Sequence, residues 1–284
     1  DRGHSNTGEL LLAKGANTTL PGNENLLSSA VGKGRTNIVQ SLLSHGVGPN
    51  AGRTCPHAVA AGMGDHGMVA LLLAAGAAPN GADPSRGSPL DQASSGRPPI
   101  STFAYQVPPT ALSPDNYLLC MKALIARGAD VKAATRHGLT PLHAAAGGKF
   151  RAGAELLVSL GAPVDAKDEY DATPLHWAVI NDAVDVAELL LQKGANPNLP
   201  LNPRAAVITT SQGDMPNPFG GVKASGQVPL TLAGSDKMKT LLTSHGAVAG
   251  QASPLEKPPE AEEDVVRAAV KAGSHSPRPT PAPP

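Results

Sequence analysis

Large aromatic side chains are scarce in this chain of 284 residues, which has three Phe, three Tyr and one Trp. Such residues fill thick globular cores, so their scarcity argues against a single packed core. Cysteine is nearly absent too. Cys55 and Cys120 are the only two, which excludes a disulfide framework and suits reduced thiols in a cytosolic or nuclear protein. There is no excess of either charge, with 23 Lys plus Arg against 23 Asp plus Glu. A basic surface for nucleic acid and a polybasic run for anionic lipid are therefore not expected. Apolar runs extend only a few residues, too short to span a bilayer. The chain also lacks an initiator Met and a signal-peptide pattern. What it has instead is Ala, Gly and 28 Pro, a composition suited to thin, regular layers in close approach and to a quasi-one-dimensional architecture.

A repeat underlies that composition. Thr140-Pro141-Leu142-His143-Ala144-Ala145-Ala146 recurs as Thr173-Pro174-Leu175-His176-Trp177-Ala178-Val179, 33 residues on, and Gly161 and Gly194 each follow 21 residues after the Thr. Thr is a good N-cap, and Pro fits the first helical position, where its missing N–H would have no partner anyway. The Ala pair leaves room for a neighbouring helix. The runs Glu155-Leu156-Leu157-Val158 and Glu188-Leu189-Leu190-Leu191 give the buried face of a second helix, and the Gly beyond each can take the left-handed conformation that ends it. Weaker copies begin at Asn25, Cys55, Ser88 and Val228, with closing glycines Gly46, Gly76, Gly128 and Gly246.

The Thr-Pro-Leu-His-x-Ala signature together with the 33-residue period resembles the ankyrin repeat. The resemblance implies an all-α repeat solenoid: stacked helix-turn-helix units joined by short β-hairpin or turn fingers. About six complete or degenerate repeats are expected, preceded by half a repeat at Glu9–Asn17 that reads as the cut end of a longer solenoid.

The solenoid is expected over residues 1–250, with insertions at about 95–114, between the helices of one repeat, and about 199–227, before the last. Loops of such length are uncommon within compact domains. The second would stand beside the groove that hairpin tips and first helices line in the ankyrin family. Residues 251–284 read as a Pro-rich, largely disordered tail with a short helix at 260–272, acidic first and basic last.

No pattern for catalytic, metal or cofactor chemistry is present in the sequence. Neither HExxH nor CxxC occurs among the nine His and two Cys, so no cofactor and no metal are expected. The resemblance assigns His143 and His176 to hydrogen bonds tying neighbouring loops. Cys55, in the place of the signature Thr, reads as a half-buried packing residue and Cys120 as a buried one, neither beside a basic pattern that would activate it. Gly153, inside a helix, predicts a softer unit. The expected function is that of a scaffold or adaptor holding a protein partner, as a monomer; the alternative is a targeting or regulatory segment of a larger enzyme or channel. Carried over from the family, the contact positions are Arg136, His137, Leu139, Glu169, Tyr170, Ala172, Ile180 and Asn181 on the two best repeats, and Lys33 and Met63 earlier. Tyr170 and Ile180 are the expected anchors.

Overall fold

The computed structural model describes residues 25–51, 55–81, 87–97, 113–202 and 226–249. Contacts divide the chain into residues 1–250 and 251–284, and all the described residues belong to the first unit. The expected N-terminal half repeat, most of both insertions and the tail with its 260–272 helix lie outside the described residues.

Twelve helices occur among the described residues, in six pairs at the six motif copies: α1 (Leu26–Gly32) with α2 (Thr36–Ser44), α3 (Pro56–Gly62) with α4 (His66–Ala74), α5 (Pro89–Ser94) with α6 (Pro114–Ala126), α7 (Pro141–Gly147) with α8 (Arg151–Ser159), α9 (Pro174–Ile180) with α10 (Val184–Gln192), and α11 (Pro229–Leu232) with α12 (Asp236–Ser244). The odd-numbered helices stack in one row from α1 to α11, and the even-numbered ones in a second from α4 to α12. The core lies between the rows, where Leu72, Leu90, Leu124, Leu142, Leu157, Leu175 and Leu190 are fully buried.

Each boundary has a local cause. Pro is the first residue of α3, α5, α6, α7, α9 and α11. At the other end, Gly46, Gly76, Gly128, Gly161, Gly194 and Gly246 have φ between +82° and +92°, and a Cβ on any of them would meet no atom within 4 Å. These glycines are present for backbone conformation and not for space. Each is followed by a residue whose N–H returns to the carbonyl five residues back, as Ala162 does to Leu157 at 3.0 Å, completing a Schellman closure.

Gly153 has a different reason. A Cβ there would stand 2.5 Å from the Phe150 ring and 3.2 Å from Met121 Sδ. Its place in α8 is fixed by close packing against α6.

A side-chain ladder holds successive fingers in phase. Asn50 Oδ1 accepts from Ala78 N at 2.9 Å while its Nδ2 donates to Gly76 O at 3.5 Å. Asn80 does the same to Asp130 N (2.8 Å) and Gly128 O (3.0 Å), and Asn198 to Val248 N (2.8 Å) and Gly246 O (3.1 Å). Asp165, which can only accept, takes Asn196 N at 3.1 Å. The remaining pair, Lys132 and Pro163, lacks both an acceptor and an N–H, so it forms no such rung.

The borders of both expected insertions lie on described residues. Pro114 belongs to α6, capped by Ser113 Oγ, which accepts from Asp115 N at 3.3 Å. At the second, Asn202 N donates to Tyr170 O at 2.9 Å and Leu201 N to Gln227 O at 2.9 Å, just as Glu169 N does to His137 O at 2.9 Å and Asp168 N to Ala172 O at 3.0 Å in the preceding finger. The finger pairing therefore runs on through Asn202 on one side and Gln227 on the other.

Candidate protein-binding surface

The best-formed part of the surface is carried by α7 and α9 and the fingers before them. In both repeats a histidine replaces the usual acidic partner of the N-cap. Thr140 N donates to His143 Nδ1 at 3.0 Å, and Thr173 N to His176 Nδ1 at 3.1 Å. With Nδ1 accepting, the proton of the neutral ring is on Nε2. His143 uses it to reach Ala172 O, at 3.0 Å, in the next finger. Burial lowers the pKa of both histidines to about 4, so this neutral form persists through the physiological range. The expected loop-tying bond is made by His143. Nε2 of His176 makes no close hydrogen bond, although the Leu199 and Gln227 backbones lie near enough to raise its pKa against burial.

The finger before α9 is organised by Asp168. Its Oδ1 accepts from Tyr170 N and Ala172 N, both at 2.9 Å, and its Oδ2 from the indole Nε1 of Trp177 at 2.8 Å. Burial raises its pKa to about 6 against the pull of these donors. Trp177 is thereby fixed on α9. It meets the His143 ring edge to face at 6.5 Å and lies so close over α7 that a Cβ on Gly147 would be 3.0 Å from its ring. Gly138 allows the two fingers to touch: its φ is +75°, and a Cβ would be 2.9 Å from Asp168 Cα.

Two of these fingers are joined at their tips as well. Arg136 Nε donates to His137 Nε2 at 2.7 Å, and His137 Nδ1 lies 2.8 Å from Glu169 Oε1. The three side chains form a polar chain from one finger to the next. Arg136, Glu169 and Lys33 are exposed, while His137, Leu139, Ile180 and Asn181 are half-buried. Asn181 turns its Nδ2 back to Trp177 O at 2.9 Å.

Three expected contact residues are corrected. Tyr170 is only 8% exposed and belongs to the core cluster, because the Asp168-centred turn folds it inward. Ala172 is fully buried beneath the same turn. Met63, at the end of α3, is 5% exposed and packs in the core. Conversely, Trp177, 9% exposed, was not among the expected contacts. A signal for it existed within the chain. The slot four residues after each cap holds Ser29, Val59, Gln92, Ala144, Trp177 and Leu232, the first exposed and all but Trp177 of the rest half-buried. A slot that varies among copies and stays near solvent is one that the fold does not dictate.

The two thiols differ. Cys120 is buried, its pKa pushed up to about 12 by burial and by the charge of Asp65. Cys55 is half-buried, with Sγ 3.3 Å from His57 Nδ1, and His57 Nε2 is 2.7 Å from Ala78 O. Among the described residues, no group of three or more His, Cys, Asp or Glu could hold a metal ion, and no helix is long and apolar enough to cross a membrane.

Paired helices in two stacked rows, with fingers in a fixed register, define a helical repeat solenoid. Residues 111–200 match the family model of ankyrin repeats in three copies. Residues 111–200 are thus ankyrin repeats. No curated protein matches it in sequence. Ankyrin repeats generally mediate protein–protein interaction, and such domains are typically non-catalytic.

Proposed function

We propose that this chain is a scaffold or adaptor that holds a protein partner across the fingers and first helices of the Thr140 and Thr173 repeats. The observation that carries this reading is the polar chain Arg136–His137–Glu169 across two finger tips, with half-buried Leu139, Ile180 and Asn181 in the same two repeats and Asn181 bonded back to Trp177. These side chains are diverse, and the framework beneath them is rigid. The Asp168 hydrogen bonds, the His143 bridge and the glycine contacts hold backbone and indole in place, so little ordering entropy is lost when a partner docks. Ile180 and the edge of Trp177 supply apolar contact. Arg136 and Glu169 supply charges of both signs at the rim, which suits a partner of mixed surface charge.

The test uses residues 1–250 as bait for affinity capture, with an Arg136→Ala, Ile180→Ala double variant as control. The expected result is a protein retained by the wild type and released by the variant, while the variant keeps its helical circular dichroism. Equal retention by both would remove the site from this surface.

A further inference from the structure

In the Ser88 repeat, Asp91 occupies the slot that His143 and His176 fill in the two regular repeats. The correspondence is atom for atom on one side. Ser88 N donates to Asp91 Oδ2 at 2.7 Å and Ser88 Oγ to the same oxygen at 2.8 Å, as Thr140 N and Oγ1 meet His143 Nδ1 at 3.0 and 2.9 Å. On the other side the chemistry is reversed. His143 presents a neutral N–H to the next finger, at Ala172 O. Asp91 presents Oδ1, which is buried and has no partner among the described residues, and one helical turn on, the hydroxyl of Ser94 is buried without a partner as well. The Oδ2 side is closely packed against the next finger: a Cβ on Gly87, the residue before Ser88, would stand 2.8 Å from Asp91 Oδ2 and 3.0 Å from Thr135 Cγ2.

An ionised carboxylate needs donors on both oxygens when it is out of water. Asp168, equally buried, has them from three N–H groups, whereas Asp91 has donors on one oxygen only. A neutral acid in the same slot has no charge to keep out of water, as the neutral histidines have none. We propose that Asp91 is a protonation-sensitive joint: its neutral form fits the contact between the Ser88 helix pair and the finger bearing Arg136, His137 and Leu139, and its ionisation loosens that contact.

The other titratable and charged groups on the elements packed around α5 are His57 on α3, Asp115, Tyr117, Cys120, Lys122 and Arg127 on α6, His143 on α7, and Asp130, Lys132, Arg136 and His137 on the finger; Tyr117 and Cys120 are buried and held neutral, because burial raises the pKa of both. The two helix histidines are buried and held neutral, because burial lowers the pKa of both. Asp115, Lys122, Arg127, Asp130, Lys132 and Arg136 are exposed to water and His137 half so, leaving burial as the dominant influence on Asp91. Burial raises its pKa from 3.8 to about 6, against the Ser88 amide and hydroxyl. The sign follows from linkage. A carboxyl whose pKa is higher in the folded state favours folding at low pH, and that contribution is lost as pH rises from about 4 through about 6.

The test compares the wild-type chain with Asp91→Asn, which keeps the shape and cannot ionise. Between about pH 4.5 and about pH 7.5 the folding equilibrium constant of the wild type, relative to the variant, should fall by about twentyfold, the part of the two-unit pKa difference that this range spans. The other titrating groups cancel in that ratio. In the wild type, the carboxyl carbon of Asp91 should titrate near pH 6 by NMR. Over the same range the Thr135 amide, which bonds Leu139 O across the finger at 2.8 Å, should lose exchange protection relative to Asp91→Asn. A carboxyl that titrates near its ordinary value, or stability profiles that run parallel, would overturn the proposal. If Asp91→Asn does not fold, the wild-type titration decides alone.

Discussion

Replacing Asp168 by Asn should unfasten the finger before α9, and the chain carries its own reporter for that event. Asn is nearly isosteric with Asp. Its carbonyl oxygen can still accept from Tyr170 N and Ala172 N, but its amide then turns an N–H toward the indole N–H of Trp177, which now donates to Oδ2 at 2.8 Å. One buried donor is left without an acceptor, a loss of about 1–3 kcal/mol. Trp177 is the one tryptophan of the chain, so its fluorescence reads this unit directly, even where distant repeats unfold separately. With a urea slope of about 1–3 kcal/mol per molar, the midpoint at neutral pH should fall by about 1 M, accompanied by a change in Trp177 emission in the native state. The pH dependence adds a second constraint. Burial raises the pKa of Asp168 from 3.8 to about 6, so the wild type gains stability as pH falls through 6 toward 4. The Asn variant has no such gain, and its deficit should widen at low pH by up to about 3 kcal/mol. An unchanged urea midpoint, or a deficit that shrinks on acidification, would refute the role given to the carboxylate.

Leu190→Ala truncates a fully buried side chain of α10 and should cost about 2–5 kcal/mol, read as a lower urea midpoint; no shift would contradict its place in the core. Lys149 joins α7 to α8 with φ at +60°, a conformation that Gly34 and Gly64 take in earlier repeats. Lys149→Gly should therefore raise the thermal midpoint, stabilising by about 0.5–1 kcal/mol, because the left-handed backbone penalty exceeds the added entropy of Gly. A lowered midpoint would show that the Lys side chain contributes more than its backbone costs.

Most of the fold was legible because it rests on signals local in sequence. The Thr-Pro start, the Leu run and the closing Gly each act within one helix, and the 33-residue spacing of Thr140 and Thr173 sets the stack. The bond from His143 to the next finger could also be anticipated, because it belongs to the signature. The candidate site was less legible. Tyr170 reads as an exposed turn residue until Asp168, two positions before it, folds the turn inward through two backbone N–H groups. Met63 looks like Lys33 by register, yet it packs into the core where Lys33 reaches water. Asp91 could be aligned with His143, but its bare oxygen depends on what the next finger presents, and that is a tertiary fact. Sequence period determines which positions are equivalent, while the neighbouring repeat determines which of them meets solvent.

The asparagine ladder makes length a free variable in this chain. The links from Asn80 to Asp130 and from Asn198 to Val248 each join partners 50 residues apart, where neighbouring regular copies are joined over about 30. Phase is thus set at the bases of the fingers, away from the places where extra sequence enters. A segment that is lengthened, shortened or exchanged between residues 202 and 226 should therefore leave the seating of the next unit unchanged. Such a joint behaves as a cloning site built into the protein: new recognition sequence can be grafted there while the helices on either side keep their order.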